Sequence, residues 1–406
     1  MREIRYAVVV YVLLFGLGGC HGSTRSDGQE VRSPGARPHG EDGAPGAKAL
    51  TSLEADVGGS ETAASSWVEL DGVVYGAKPD DRGPIGGGKG YTQMVLRGDR
   101  TVSTLDQLLD ALKDAKPGTV IFISGKAEID CTARVAIERL VLAVPQGVTL
   151  ASDRGQGDSQ GALIFSDAFN TLPLVRATGP DVRITGLRLR GPDPRQRLDH
   201  YNRSFAEGRG HTYYYKFPVS RGVATTQSAL TVDNCELSGW SHAAVFLEAG
   251  DNHQVHHNFI HHNQYAGLGY GVSLDVATAL IEFNVFNYNR HSIAGTGRPG
   301  CAYEAANNIQ LDVASAHCFD MHGGADRKDG TDVAGQRLSI HHNTFRALRG
   351  AVTIRGRPQD QAEIHHNWFS QPTLGQAVTT QGKAMIHDNV FGLDRPQLAP
   401  ASDPGK

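Results

Sequence analysis

This sequence has no large excess of positive or negative charge. Its 39 lysines and arginines nearly balance its 43 aspartates and glutamates, and the formal net charge at pH 7 is −4. A protein that binds nucleic acid usually concentrates basic residues on one surface, and this balanced composition gives no sign of such a surface. We therefore expect no nucleic-acid partner, and we expect a monomer.

A long hydrophobic run is also missing. The apolar run at residues 6–17 is too short to cross a bilayer as a helix, but it follows two arginines, as the central part of a signal peptide does. The run ends at residues 17–20, Leu-Gly-Gly-Cys, which resemble the lipobox of bacterial lipoproteins. This resemblance implies a signal peptide over 1–19, lipidation of Cys20 and anchoring of the protein to a membrane of the cell envelope. A plain secretory signal with an incidental cysteine is the alternative.

Two segments have too few apolar residues to fold. Residues 20–66 contain almost no aromatic side chains and are rich in Gly, Ser, Ala, Pro and charge, which predicts a disordered tether. The Pro- and Ala-rich residues 395–406 predict a flexible tail in the same way. The folded domain is therefore expected over residues 67–394.

Cysteine is scarce, and cleavage before Cys20 would remove none of the other four. These are Cys131, Cys235, Cys301 and Cys318. Disulfides form in the oxidising compartments that an exported protein enters, and four cysteines allow three pairings, among which the sequence does not choose. Cys301 and Cys318 lie about one repeat apart and could be bridged. Buried free thiols are the alternative.

What the sequence does contain is a repeated phrase, in which an apolar residue is followed three positions later by asparagine. The phrase reads Ile-His-His-Asn at residues 340–343 and again at 364–367. The recurring asparagines are Asn234, Asn258, Asn284, Asn343, Asn367 and Asn389. Most gaps between them are 22 to 26 residues, and one gap of 59 leaves room for an extra coil and an insertion. Such a period indicates a solenoid, whose units bury their apolar faces only against one another.

The pattern within each repeat favours short strands over helices. Apolar positions alternate with polar ones and are separated by glycines, which suits strands joined by turns. The longer stretches of 3.6-residue periodicity that helical repeats need do not occur in these repeats. Asparagine tolerates the left-handed turn conformation and can stack its amide from one repeat to the next. We therefore predict an all-β fold, a right-handed parallel β-helix.

The first repeats follow a segment that is typical of a helix. Residues 103–106 have the spacing of a capping box, with Asp106 in place of the usual Glu or Gln, and leucines follow at helical spacing. Pro117 and Gly118 end the helix. It would be an N-terminal cap that covers the open end of the solenoid. Short strands are predicted next at 119–123, 137–144, 148–150, 162–165, 182–190 and 229–233.

Over about residues 70–392 the sequence resembles the pectate-lyase-like superfamily of right-handed parallel β-helix proteins. The likeness rests on residues 105–123, 147–155 and 183–189 and on the asparagine-marked coils. It implies a polysaccharide lyase, a glycoside hydrolase, a sugar epimerase or a surface protein without catalytic activity. The catalytic signature of a particular pectate lyase is not found, so the resemblance assigns no catalytic residue.

Strand alternation places several polar side chains on one outward face, where they would meet solvent, because apolar residues such as Phe319 and Ile354 take the inward positions. Matching strand ends by the glycines that follow them aligns four outward residues of successive coils: Thr296, His322, Arg355 and Gln381. A second row beside them contains Asp320, Thr353 and Thr379. Paired strands lie about 4.8 Å apart, so the residues of a row would be neighbours. Arg290 and His291 begin the preceding strand and would border the same groove.

Histidine, arginine and aspartate on adjacent coils suit removal of the proton alpha to a uronate carboxylate. Arg355 could bind the carboxylate with both prongs of its guanidinium, and His322 could act as general base or acid. Asp320 could orient His322 or join a Ca²⁺ site through oxygen ligands. The alternative is a row of polar side chains in which Arg355 simply pairs with Asp320. The catalytic candidates are His322, Arg355, Asp320, His291 and Arg290, with Thr353 and Gln381 as substrate contacts.

A long insertion, residues 191–222, carries further candidates for substrate binding: Tyr213, Tyr214, Tyr215 and Lys216. The tyrosines could stack on sugar rings, form a lid or supply an acid, or the insertion could pack on the flank of the solenoid. The paired histidines of the repeated phrase recur along the whole solenoid, which a metal site would not require. We interpret them as structural, with metal binding as the alternative.

These observations predict an exported enzyme that acts on an acidic polysaccharide, with a lyase that cleaves by β-elimination as the first expectation. The second is a non-catalytic carbohydrate-binding or adhesive β-helix. A glycoside hydrolase or a uronate epimerase is the third. Hydrolysis ranks lower because it needs two carboxylates, and the central rows offer only Asp320.

Overall fold

The computed structural model describes residues 65–382 and 384–392, together with the backbone of residues 397–398. The predicted signal peptide over 1–19, Cys20 and nearly all of the tether lie outside these residues, and so does most of the tail. The anchor and the tether therefore stay predictions. No helix in the described part of the chain is long and apolar enough to span a membrane.

The chain winds through three sets of parallel strands, here called sheets A, B and C, and this confirms the predicted right-handed parallel β-helix. Sheet A consists of β6 (Leu142–Val144), β9 (Val175–Ala177), β12 (Arg221–Thr225), the first part of β15 (Ala243–His256), the first part of β17 (Tyr270–Glu282), β19 (His291–Gly295), β22 (Phe319–Met321), β25 (Val352–Ile354) and β28 (Val378–Thr380). Sheet B consists of β3 (Arg100–Val102), β4 (Val120–Ile123), β7 (Thr149–Ala151), β10 (Arg183–Thr185), β13 (Thr231–Asp233), the second parts of β15 and β17, β20 (Ala302–Ala306), β23 (Arg337–His341), β26 (Gln361–His365) and β29 (Ala384–His387).

Sheet C consists of β5 (Glu128–Asp130), β8 (Leu163–Phe165), β11 (Arg188–Arg190), β14 (Glu236–Ser238), β16 (Phe259–His261), β18 (Val285–Asn287), β21 (Ile309–Gln310), β24 (Thr344–Phe345), β27 (Trp368–Phe369) and β30 (Val390–Phe391). The strand β31 (Gln397–Leu398), within the predicted tail, pairs with β30 in antiparallel orientation. A separate hairpin is formed by β1 (Trp67–Leu70) and β2 (Val73–Gly76).

The core lies inside the coils and is built from stacked apolar rows. One row on sheet A contains Val223, Val245, Val272, Ile293, Phe319 and Val352. On sheet C, the rings of Phe345, Phe369 and Phe391 stack with centroids 5.2 and 5.5 Å apart. Burial of each such side chain contributes about 1.5–3 kcal/mol, so each coil is stabilised mainly by its neighbours.

The helices lie at the N-terminal end and in the insertions. They are α1 (Leu105–Asp114), α2 (Thr132–Glu138), α3 (Leu198–Phe205), α4 (Gly210–Tyr214), α5 (Gly324–Arg327) and α6 (Leu374–Ala377). The predicted helix α1 is present, but its cap lies one residue later than predicted. The Thr104 hydroxyl accepts from the Gln107 N–H at 3.3 Å, and the Gln107 side chain accepts from the Ser103 N–H at 2.9 Å.

The strand predicted at 137–144 is wrong in its first half, where α2 ends. The Arg134 and Glu138 side chains pair along the helix at 2.9 Å, which stabilises it, and Arg139 ends it in a left-handed conformation with φ 56°. Only β6 remains of the predicted strand. Local helical pairing therefore overrode the apolar alternation in this segment.

The asparagines stack in a ladder along the turn between sheets B and C. Its members are Asn258, Asn284, Asn308, Asn343, Asn367 and Asn389. The side-chain oxygen of each of the last five accepts two hydrogen bonds from the asparagine one coil earlier, one from its backbone N–H and one from its Nδ2, at 2.9–3.0 Å. Its own Nδ2 donates to a strand carbonyl of the preceding coil at 2.8–2.9 Å. The predicted amide stacking is therefore confirmed.

The predicted set of asparagines needs two corrections. Asn308 belongs to the ladder and divides the gap of 59 residues into 24 and 35. Asn234 does not belong to it, because it takes the preceding left-handed position of the turn with φ 52°, and the Cys235 N–H bonds Asn258 instead. The side-chain oxygen of Asn234 instead accepts a hydrogen bond from the Gly88 N–H at 2.7 Å. Gly88 belongs to the segment that precedes β3.

All four cysteines are buried and free, which confirms the alternative of buried thiols over a disulfide. Burial is the main cause that raises the pKa of each thiol to about 12. The neutral thiol is a poor nucleophile and a poor metal ligand. These cysteines therefore act as small apolar core residues.

The paired histidines form two rows along the coils. His341, His365 and His387 stack with ring centroids 5.0 and 5.3 Å apart, and His342 stacks on His366 at 5.0 Å. Earlier in the chain, Glu282 and Phe283 occupy these rows. The second histidines adopt the left-handed turn conformation. Regular stacking of this kind supports the structural interpretation.

Acid should destabilise the protein through these histidines. Burial, with repulsion from neighbouring histidines, lowers the pKa of His342 to about 4, against about 6.5 in an unfolded chain. A histidine with a lowered pKa takes up its proton preferentially when unfolded, so its stabilisation is complete above about pH 6.5 and is lost as pH falls towards 4. We expect the melting temperature to fall across this window and His342→Asn to flatten the fall.

His387→Asn is the matched control, because its effect has the opposite sign. Hydrogen bonds to Asp388 and Glu363 raise the pKa of His387, so this residue contributes stability at low pH that is lost as pH rises through its folded-state pKa. The variant should therefore steepen the fall towards pH 4. Melting curves recorded from pH 4 to 7 that are parallel for the wild type and both variants would contradict this prediction.

Candidate functional site

The outward face of sheet A carries the predicted rows. Asp320 pairs in register with Thr353, and Thr353 pairs with Thr379. Because β22, β25 and β28 stay in register to their last residues, the next positions place His322, Arg355 and Gln381 in the neighbouring row. The alignment deduced from alternation and glycine spacing is therefore confirmed.

Asp320, in the middle of β22, binds three neighbouring side chains. Its carboxylate accepts from Arg355 Nε at 3.1 Å and from Arg355 Nη2 at 3.0 Å. His317 Nε2 lies 3.0 Å from Oδ1, and His322 Nε2 lies 2.8 Å from Oδ2. A carboxylate has about four lone-pair positions, so these contacts use its whole capacity. We call Asp320, His317, His322 and Arg355 the Asp320 cluster.

The cluster points away from the core as predicted, but the expectation that its side chains face solvent is wrong. The side chains of Asp320 and His322 are 0% and 6% exposed, against 21% for Arg355 and 22% for His317. The carboxylate is covered because its own partners converge on it. Arg355 follows β25, His322 follows β22, and His317 lies in the loop before β22. His317 and Arg355 are the most exposed members of the cluster.

The cluster keeps Asp320 ionised. Burial by itself raises the pKa of this carboxyl, but the charge of His322 and hydrogen bonds from His317 and His322 outweigh burial and hold the pKa well below its ordinary value. Burial lowers the pKa of Arg355, and Asp320 and Asp326 more than offset it, so that this pKa is raised.

Arg355 is less available than predicted. Its Nε and Nη2 bind Asp320, Nη2 also lies 3.1 Å from His317 Nε2, and Nη1 donates to Asp326 at 3.3 Å. The edge of the guanidinium that was expected to bind a substrate carboxylate is therefore occupied by Asp320. This agrees with the alternative interpretation, in which Arg355 simply pairs with Asp320. Nη1, whose contact with Asp326 is 3.3 Å long, is the least closely bound nitrogen of the guanidinium.

His291 and Arg290 lie beside the cluster, and His291 extends it. The fully buried His291 has Nδ1 at 2.6 Å from the His317 carbonyl oxygen and Nε2 at 3.9 Å from Asp320 Oδ2. Burial and the charge of Arg290 lower the pKa of His291 well below its ordinary value. Arg290 instead contacts the Leu268 carbonyl and the ring of Tyr270, whose centroid lies 6.0 Å from the guanidinium.

His317 is the member of the cluster that sequence reasoning missed. It precedes β22, so strand alternation assigned it no side. The only signal was its spacing, three residues before Asp320, which allows one loop to return a side chain to the following strand. The contact of its backbone carbonyl with His291 follows from the pairing of the coils, which the sequence of one coil does not reveal.

The tyrosine insertion packs largely on the flank of sheet A. Tyr214 is fully buried in a cluster with Phe246, Tyr265 and Tyr270, and its hydroxyl donates to the Ala266 carbonyl. Burial raises the pKa of Tyr215 above its ordinary value. Tyr214 is therefore part of the packing that the alternative interpretation describes.

The other predicted substrate contacts stay predictions. Tyr213 is partly exposed and packs beside His200 and Arg209, and Lys216 is exposed at the end of the insertion. Thr353 is partly exposed and Gln381 is exposed on the outward face of sheet A, next to the Asp320 cluster. A polymer lying along this face could contact Thr353, Gln381 and Arg355.

The cluster does not suit Ca²⁺. Calcium takes about six to eight oxygen ligands, whereas the carboxylate of Asp320 is surrounded by the nitrogen atoms of two histidines and one arginine. The oxygen-based site considered for Asp320 is therefore not formed by these side chains.

Comparison with known proteins agrees with the fold. The model of a family described as "Right handed beta helix region" matches residues 221–391, which include the coils from β12 to β30. No curated protein sequence matches the chain significantly.

Three solved structures are similar to this chain. An alginate lyase from a Paenibacillus strain has 16% identity and a TM-score of 0.40, over 72% of this chain and 97% of that protein. A family 28 exopolygalacturonase from Yersinia enterocolitica has 11% identity and a TM-score of 0.39, over 71% and 62%. The Dettilon tailspike protein has 10% identity and a TM-score of 0.33, over 68% and 64%. Similarity at this level carries no argument about activity.

Proposed function

We propose that this protein is an enzyme that acts on an acidic polysaccharide, and that it cleaves a uronate polymer by β-elimination. The observation that carries the proposal is the Asp320 cluster, in which one buried carboxylate orients two histidines and an arginine on the outward face of sheet A. Perturbed ionisable groups gathered on one surface are typical of catalytic sites.

Two histidines on one carboxylate suit the two proton transfers of an elimination. A neutral histidine removes the proton alpha to the uronate carboxylate, and the electron pair of that C–H bond becomes a carbon–carbon double bond. The bond to the glycosidic oxygen breaks, and the second histidine, in its protonated form, gives this oxygen a proton. Asp320 fixes the ring orientation of both histidines because each binds it through Nε2.

Charge balance supports the same assignment. Asp320 and Arg355 cancel each other, and Asp326, which also binds Arg355, is balanced by Arg290 beside the cluster. These four side chains therefore carry no net charge, and the surface can accept an anionic polymer. Arg355 can then stabilise the developing charge on the substrate carboxylate from its Nη1 side.

Hydrolysis is less well supported. A glycoside hydrolase needs one carboxyl group with a raised pKa as general acid, and a second carboxylate. The pKa of Asp320 is shifted in the opposite direction, and its oxygen atoms are fully engaged by the cluster. Asp320 therefore serves better to orient the histidines than to donate a proton.

The proposal can be tested by incubating the purified full chain with a panel of uronate polymers, including alginate, polygalacturonate and a glucuronan. We expect ultraviolet absorbance from an unsaturated uronate to increase with at least one of them. A change of uronate stereochemistry in the proton NMR spectrum without absorbance would indicate an epimerase, which removes the same proton. Binding without either change would favour the carbohydrate-binding alternative, for which the occupied edge of Arg355 is the specific observation.

A further inference from the structure

One ring nitrogen beside the Asp320 cluster has no hydrogen-bond partner among the described residues. It is Nε2 of His291, whose side chain is fully buried. The other ring nitrogen, Nδ1, lies 2.6 Å from the carbonyl oxygen of His317. A carbonyl oxygen can only accept, so Nδ1 carries the proton, and Nε2 of the neutral ring carries a lone pair.

This lone pair lies near a second acceptor. Nε2 of His291 is 3.9 Å from Oδ2 of Asp320, and two acceptors at this distance repel each other unless positive charge lies between them. A proton on Nε2 would supply that charge. Full burial of the ring opposes it, because an additional charge inside the protein is costly. A metal ion would supply positive charge and leave the ring neutral.

We propose that His291, His317 and Asp320 bind a divalent transition-metal ion of the Zn²⁺ type. One donor atom from each residue lies within 4.8 Å of the donor atoms of the other two. Two imidazoles and a carboxylate form a ligand set that suits Zn²⁺ and related ions. The contact from His291 Nδ1 to a backbone carbonyl is the kind of outer bond that orients a metal-binding histidine.

Arg355 competes with the ion for two of these ligands. Its Nη2 lies 3.0 Å from Asp320 Oδ2 and 3.1 Å from His317 Nε2, so the guanidinium occupies the space beside both. Asp326, which is partly exposed and already binds Nη1 at 3.3 Å, offers Arg355 a second carboxylate. Metal binding and the Arg355–Asp320 pair should therefore exclude each other.

The test is a titration of the purified full chain with Zn²⁺ in competition with a chromophoric chelator, repeated with Co²⁺ to record its absorption spectrum. His291→Gln should lose one ion from the stoichiometry or bind it far more weakly. Loss of an outer-shell partner alone costs about 10–100-fold in affinity, and loss of a ligand should cost more. Arg355→Gln should bind Zn²⁺ more tightly than the wild type.

His387→Gln is the control for binding to other histidines. It removes a half-exposed histidine of the sheet B row and should leave the stoichiometry at the His291 site unchanged. Equal Zn²⁺ binding by the wild type and a folded His291→Gln variant would overturn the proposal, as would weaker binding by Arg355→Gln. A buried water in place of an ion would produce the first of these results.

The inference does not depend on the proposed lyase activity, because Zn²⁺ binding is measured without substrate. A chain that binds Zn²⁺ at His291 but modifies no uronate polymer would contradict the proposed function alone. A chain that cleaves a polymer with the same Zn²⁺ affinity in wild type and His291→Gln would contradict the metal site alone.

Discussion

Replacement of Asn343 by leucine should destabilise the solenoid by several kcal/mol. The side-chain oxygen of Asn343 accepts the backbone N–H and the Nδ2 of Asn308, and its own Nδ2 donates to the Ala305 carbonyl and to Asn367. Leucine leaves at least the two donors of Asn308 buried and unpaired. Each buried orphan costs about 1–3 kcal/mol, so we expect a loss of about 2–6 kcal/mol.

A loss of that size is comparable with the whole stability of many domains, about 5–15 kcal/mol. Chemical denaturation and melting curves should detect it readily. Asn202→Leu, on the exposed surface of α3, is the matched control and should change the melting temperature little. Asn308→Leu should behave like Asn343→Leu, although the repeated phrase did not predict its place in the ladder. Similar melting temperatures for Asn343→Leu and Asn202→Leu would show that the ladder contributes little.

Substitution in the Asp320 cluster should abolish most of the activity on a responsive uronate polymer. His317→Ala, His322→Ala and Arg355→Ala should each reduce turnover by about 10²–10⁴-fold, the range for general acid–base groups and for groups that stabilise developing charge. Arg355→Lys should not restore activity, because an ammonium cannot bind Asp320 through two parallel N–H groups as the guanidinium does.

Arg357→Ala is the matched control for loss of a positive charge. Arg357 pairs with Asp332 at 3.1 Å on the open surface, where both side chains are about two-thirds exposed, so turnover should stay near the wild-type value. Initial rates followed by ultraviolet absorbance compare all variants. Near-wild-type turnover in the three cluster variants would show that catalysis lies elsewhere, and the exposed Tyr213 and Lys216 would be the next residues to substitute.

Stability must be measured alongside activity in this series. Had the cluster faced solvent, as the sequence indicated, its substitution would barely change the melting temperature. The burial of Asp320 changes this expectation, because removal of Arg355 leaves a buried carboxylate without its bidentate partner, which typically costs about 3–5 kcal/mol. Assays of Arg355→Ala should therefore be run well below its own melting temperature, with circular dichroism to confirm folding.

Much of the site could be predicted because a parallel solenoid makes neighbours from residues one period apart. Strand alternation identified the outward positions, and the glycines that follow the strands aligned Asp320 with Thr353 and His322 with Arg355. The same reasoning missed Asn308, since an insertion after it lengthens the next interval to 35 residues and hides the period. It also missed His317, which lies outside a strand.

The sequence by itself determined the architecture. A repeat of two dozen residues with alternating apolar positions can bury its core only by stacking, and the recurring asparagines can satisfy their amides only from coil to coil. Burial and partnership, in contrast, were decided by the tertiary structure. Whether an outward side chain meets water depends on what covers it in the folded chain. Here Arg355 of the next coil joins His317 and His322 of the same coil on one carboxylate. The coil that contains Asp320 carries no information about the contact with Arg355, because Arg355 lies 35 positions away and reaches Asp320 only after the coils have stacked.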